Sequence, residues 1–180
     1  MKKIFLSVSL CLIAAIGVNA QVIEKGNVIV TAGFGFSSYH TGNGFSSSSL
    51  PLNAAIEYCI VDNMIDGNAA IGVGGYLGYA ADKLNVFPNV VKRSHTVFGA
   101  KGYFHYQFFE NLDTYGGLML GYHSLNITTT PSNYTYHGNS SGTTASLFLG
   151  ARYFFNDNLG AFIELGYGVT AIELGVALKF

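Results

Sequence analysis

Charge is what this chain has least of. Asp, Glu, Lys and Arg make up 11% of its 180 residues, against about a quarter in an ordinary globular domain. No basic stripe is present to neutralise phosphates, which excludes nucleic acid as a partner. Cysteine occurs only as Cys11 and Cys59. After residue 20 no apolar run approaches the ~20 residues of a transmembrane helix. Tryptophan is absent, so any aromatic belt must be built from Tyr and Phe. His40, His95, His105, His123 and His137 have no metal-ligand spacing. No Gly-rich stretch follows a strand and opens a helix, so nucleotide motifs are missing too. No metal and no cofactor are expected.

The N-terminus is not featureless. Lys2 and Lys3 precede an apolar run over 4–18, which ends in Val18-Asn19-Ala20. A basic start, a short apolar core and a small-residue end describe a secretory signal peptide over residues 1–20. Leu10 is too bulky for the position before a lipoprotein cysteine, so Cys11 is not read as a lipidation site. Cleavage after Ala20 leaves 160 residues, one domain by length, with Cys59 as the sole thiol and no possible intramolecular disulfide. Loss of Lys2 and Lys3 leaves seven basic against ten acidic side chains, a net of −3.

What fills the remainder is alternation. Ile172, Leu174, Val176, Leu178 and Phe180 alternate with Glu173, Gly175, Ala177 and Lys179. A period of two places each set on one face of a strand. Similar segments span 27–37, 50–61, 69–80, 95–109, 114–125, 144–155 and 159–168, which makes eight with the terminal one. Each is near the 9–11 residues of a strand tilted across a bilayer. The connections 62–67, 110–113 and 156–158 are short and rich in Asp and Asn, as tight turns require. Those at 39–49, 81–94 and 126–143 are long and rich in Ser, Thr, Asn and Gly. Short periplasmic turns and long outer loops alternate this way in outer-membrane barrels. A fourth outer connection, near Gly168 and Val169, is very tight.

Charge placement decides which face looks outward. Asp62, Asp66, Glu110, Asp113 and Asp157 fall in the short turns; Asp82, Lys83, Lys92 and Arg93 fall in the second long loop. Glu24 and Lys25 precede the first strand, and Lys179 lies at the last. The other five, Glu57, Lys101, Arg152, Glu164 and Glu173, all lie opposite the apolar set of their strands. A Lys or Arg on the lipid face near the midplane costs roughly 2–4 kcal/mol, and none is placed there. The polar face is rich in glycine, as suits the inside of a narrow barrel and not a soluble sandwich. The expected fold is therefore all-β: an eight-stranded antiparallel up-and-down transmembrane β-barrel over residues 21–180. Its lumen, just wide enough for side chains, is expected to be plugged by an ion network of the five buried charges. His105 and His123 should face that lumen, and His95 should sit at a loop–strand edge. Phe36, Tyr79, Tyr122 and Tyr167 at one end, with Phe108, Tyr153, Phe155 and Phe180 at the other, read as interfacial girdles.

The leader, the eight segments and the final Ile172-x-Leu174-x-Val176-x-Leu178-x-Phe180 resemble the small eight-stranded outer-membrane barrels, broadly the OmpA/OmpX-like porin-family proteins. The resemblance implies residence in outer-membrane lipid of a bacterial cell. It also implies that Phe180 ends the signal read by the barrel-assembly machinery. It leaves activity open, since such barrels host adhesins, structural proteins, enzymes and small transporters. The peptidoglycan-binding domain of larger relatives is not expected after Phe180. Adjacent residues on a strand point to opposite faces, so His123 and Ser124 cannot pair as base and nucleophile without a bulge. The leading expectation is a monomeric, non-enzymatic structural or surface-interaction protein. Tyr39, Phe45, Tyr134 and Tyr136 would contact an extracellular ligand, because Tyr amid Ser, Gly and Asn suits adaptable recognition. A small channel or hydrophobic-solute conduit is the alternative, and a lipid-A-modifying enzyme comes behind it.

Overall fold

Among the described residues each of the eight alternating segments resolves into a strand, and several strands run further than the alternation. A computed structural model of the chain describes residues 22–36, 46–47, 50–86, 89–130, 136–166 and 170–180. The elements are β1 (Val28–Phe36), β2 (Ser46–Ser47), β3 (Leu52–Met64), β4 (Ala69–Val86) and β5 (Asn89–Phe109), then β6 (Leu112–Thr130), β7 (Tyr136–Phe154), β8 (Leu159–Gly166) and β9 (Ile172–Lys179). Eight of them form an antiparallel ring in the order β4-β3-β1-β9-β8-β7-β6-β5, closed by a β4–β5 ladder, while β2 adds two residues to the outer side of β4. Each stave lies beside its sequence neighbour, an up-and-down meander. The seam is the β1–β9 ladder, from Ile29↔Lys179 to Phe36↔Ile172. Closure leaves no unpaired backbone edge in the ring, the condition for a sheet placed in lipid.

The two faces are as the pattern demands. Phe34, Leu52, Ile56, Leu77, Phe98, Leu118, Leu120, Leu147, Leu149, Ile163 and Val176 are all exposed, an apolar belt around the ring. Phe98 and Tyr122 meet at a tilt across β5 and β6 at one rim, with ring centroids 5.8 Å apart. Tyr153 and Phe155 meet edge to face at the other. Tyr167 and the connection near Gly168 lie outside the described residues. Inward glycines make room for what fills the lumen. A Cβ at Gly72 would sit 2.6 Å from Oε1 of Glu57, and one at Gly175 would sit 2.7 Å from the Phe162 ring. At the turn end, Asn63, Ile65, Asp66 and Gly67 all take positive φ, as does Asn111 in the next turn. Asp, Asn and Gly tolerate that region, which explains the composition of these turns.

Two expectations about connections are corrected. Residues 81–94 and 126–143 are not loops for most of their length. β4 and β5 pair without a register break from Ala69↔Tyr106 to Val86↔Asn89. β6 and β7 pair up to Thr129↔Tyr136. Asp82, Lys83, Lys92 and Arg93 are therefore strand residues, and Tyr136 is the first residue of β7. The remaining contact candidates, Tyr39, Phe45 and Tyr134, lie outside the described residues, as does the leader 1–20. Because β3 pairs no further than Leu52↔Tyr79 and β8 no further than Gly166↔Phe148, β4 to β7 rise beyond the ring as a four-stranded sheet.

Candidate functional site

All five side chains assigned to the lumen are buried there: Glu57, Lys101, Arg152, Glu164 and Glu173. They do not form one network. They divide into two layers along the axis, and the one nearer the turns also recruits Asp113, which the sequence placed in a turn.

The layer nearer the turns is a closed ring of four. Nη2 of Arg152 donates to Oε2 of Glu57 at 2.6 Å, and its Nη1 donates to Oδ2 of Asp113 at 3.3 Å. His105 completes the circuit, with Nε2 2.6 Å from Oε1 of Glu57 and Nδ1 2.9 Å from Oδ1 of Asp113. Both ring nitrogens lie near carboxylate oxygens, and of the two contacts only the one from Nδ1 to Asp113 has hydrogen-bond geometry. Arg152 also stacks 4.1 Å from the Tyr115 ring centroid. Asp113 is a correction: it is no turn residue but the second residue of β6, buried opposite Arg152. Its closeness to the Asn111 turn hid it, and only parity with the inward Tyr115 could have found it.

The middle layer is built on Lys101. Its Nζ donates to Oε1 of Glu164 at 2.6 Å and lies 3.8 Å from the Phe148 ring centroid. Tyr115 donates to the other Glu164 oxygen at 3.2 Å. Glu173, directly across the β8–β9 ladder from Glu164, accepts from Tyr76 at 2.6 Å and from Thr170 at 3.2 Å. Among them is a cavity of about 20 Å³, room for about one water.

A third layer lies toward the raised sheet, and of its members the sequence placed only His123 inward. Asp82 accepts from Arg93 at 2.7 Å. His95 is buried, not at a loop edge, and its Nδ1 lies 3.2 Å from Nε2 of His123. Polar composition made this region read as loop. Among the described residues no group of three His, Cys, Asp or Glu side chains is placed to hold a metal.

Below the first layer the residues just before β1 enter the ring. Val22 and Ile23 are buried with Ile29, Cys59, Ala70, Phe154 and Ala177. The Val22 amide donates to Oε1 of Gln107 at 2.7 Å, and Lys179 donates to the Val22 carbonyl at 2.8 Å. Sequence periodicity is blind to two apolar residues before a strand. This stopper gives a direct expectation, because Cys59 is fully buried against it. Ile23→Asp should raise the rate at which a water-soluble maleimide labels Cys59 in the folded barrel by about tenfold, the factor for each 1.4 kcal/mol of local stability lost. Unchanged labelling would mean that other residues shield the thiol.

No protein-family model matches the chain, and no curated protein matches it in sequence. Solved structures do match. The chain is similar to Ail, the attachment invasion locus protein of Yersinia pestis, solved with the heparin analogue sucrose octasulfate. The TM-score is 0.55 at 11% identity, over 87% of this chain and 100% of that one. A second Ail structure matches with a TM-score of 0.53 at 15% identity, covering 87% and 100%. The outer membrane protein OprG of Pseudomonas aeruginosa matches with a TM-score of 0.51 at 12% identity, covering 87% and 97%. The fold is that of a small outer-membrane β-barrel.

Proposed function

We propose that this chain is an integral outer-membrane barrel, exported through a cleaved leader, whose lumen is closed by side chains and whose raised sheet binds extracellular polypeptides. The apolar belt and the inward placement of Glu57, Lys101, Arg152, Glu164 and Glu173 support membrane residence. Three polar layers and the Val22–Ile23 stopper support a closed lumen.

The observation that carries the interaction reading is the free side of β7. Residues 136–147 pair with β6 on one side, and among the described residues no strand pairs with them on the other. Twelve strand residues at ~3.3 Å each make an edge of about 40 Å. Edges are normally blunted by Lys, Pro or a bulge. Here residues 138–146 read GNSSGTTAS, with no charge and no proline. The opposite edge, on β4, carries Lys83 and is capped by β2. An uncapped neutral edge offers main-chain hydrogen bonds to an added strand. Among barrels of this fold, Ail is named for attachment, which agrees with a surface role.

The tests separate the parts. Purified protein in planar bilayers is expected to give no ion conductance, and steady conductance would replace the closed lumen with a small channel. Cells displaying the chain should adhere to polypeptide-coated surfaces. Asn139→Lys with Ser141→Lys, which adds the usual edge protection, should abolish that adhesion. Adhesion unchanged by these substitutions would remove β7 as the contact.

A further inference from the structure

The charged residues at the two ends of the barrel are segregated. Exposed or half-exposed at the turn end are Glu24, Asp62, Asp66, Glu110 and Asp157, with Lys25 and Lys179. That is five acids against two bases. At the other end, beyond the aromatic rim, the acid among the described residues is Asp82, which points inward and is buried against Arg93. The segments there outside the described residues contain no Asp, Glu, Lys or Arg. The outward charges of that end are therefore Lys83 and Lys92 alone, in a chain whose exported form is net negative.

These two lysines are not scattered. They are directly paired across the β4–β5 ladder, and the same row continues to Thr128 on β6 and His137 on β7. Cross-strand partners share a face, so all four side chains leave the sheet on the side continuous with the apolar belt. Both lysines are exposed. The next row toward the ring is Ala81, Ser94, Asn126 and Asn139, polar and uncharged apart from the alanine. Like charges directly opposite on a sheet destabilise it, and no acid stands near enough on this face to offset the pair. A bridging anion would.

Height on the barrel names the anion. Lys83 lies four residues above Tyr79, the outward aromatic of the same strand. That is about 13 Å along the strand, or about 10 Å above the girdle once the 35–45° tilt of membrane strands is allowed for. This is the level of lipid headgroups, just outside the hydrocarbon. We propose that Lys83 and Lys92, flanked by Ser94, Asn126 and Thr128, form a binding patch for the phosphate groups of outer-leaflet lipid headgroups. The patch rests on the membrane placement proposed above, but not on the β7 edge.

The experiment uses the full barrel in zwitterionic detergent, titrated with diphosphoryl lipid A, with the same lipid stripped of its phosphates, and with a sulfated oligosaccharide. The wild type should bind the diphosphoryl lipid and melt at a higher temperature with it. Lys83→Gln with Lys92→Gln should weaken that binding by about tenfold or more, since each basic residue near an anionic surface contributes severalfold. Without lipid the double variant should be no less thermostable than the wild type, because a repulsion has been removed. Lys83→Arg with Lys92→Arg should retain binding, and Lys25→Gln should not alter it. Equal binding by the double variant, or equal binding of the dephosphorylated lipid, would overturn the proposal. So would binding of the sulfated oligosaccharide in place of the lipid. A chain that fails to fractionate with the outer membrane would instead overturn the placement on which the patch rests.

Discussion

Arg152→Met is expected to destabilise the barrel by about 3–5 kcal/mol, the cost of leaving a buried partner charge uncompensated. Arg152 is fully buried and supplies two of the four contacts that close the ring with Glu57, Asp113 and His105. Its removal leaves two carboxylates facing one imidazole in a space lined by Tyr103 and Tyr115. Urea unfolding of the barrel in phospholipid vesicles measures the change. Adding Glu57→Gln to Arg152→Met should recover part of the loss, because the stranded anion goes with its partner. That non-additivity is the signature of coupled charges. A loss below about 1 kcal/mol would place the ring in the range of solvent-screened pairs. The lumen would then be wet at this level.

The second large effect concerns the opposite face. Leu118→Arg should cost roughly 2–4 kcal/mol in a bilayer, the penalty for a cation on the lipid face near the midplane. Leu118 is 60% exposed. In water a substitution at so exposed a site would ordinarily fall within about ±0.5 kcal/mol. The same vesicle unfolding measurement therefore discriminates between lipid and water as the surroundings of the belt. A neutral result would remove the membrane reading, because nothing in a soluble protein makes an exposed leucine irreplaceable. Position along the strand matters as well. Arginine at Thr128, in the raised sheet, should be tolerated.

Those two substitutions also mark where the sequence was legible. The penalty that makes Leu118→Arg costly keeps charge off one face and writes a period of two into every lipid-crossing segment. Parity alone then assigned Glu57, Lys101, Arg152, Glu164 and Glu173 to the lumen, and all five are there. Legibility ended at the lipid boundary. Beyond Tyr79 and Tyr122 both faces of β4 to β7 are free to be polar, so alternation fades and GNSSGT over 138–143 reads as loop although it is strand. His95 and Asp82 were lost for that reason. Asp113 was lost for another: aspartate beside a turn carries the turn's composition, whether it points out or in. The division of the five charges into layers could not be read at all. It depends on which residues lie level across the ring, which is set by the stagger of the ladders and not by any one strand.

The seam carries a consequence for how the barrel forms. Ile29 faces Lys179 across 150 positions of chain, and Val28 and Phe180 exchange backbone hydrogen bonds at 2.9 Å in both directions. β9 therefore satisfies two neighbours at once, β8 and β1. Until it arrives the other seven staves are an open sheet with two sticky edges and a greasy face. Contacts so distant in sequence are slow to make, and an intermediate of that kind is prone to aggregate. Delay in delivering the last strand is thus the hazard of this architecture. Any catalyst of assembly that holds β1 apart until β9 is in place would act on the slowest and least protected step.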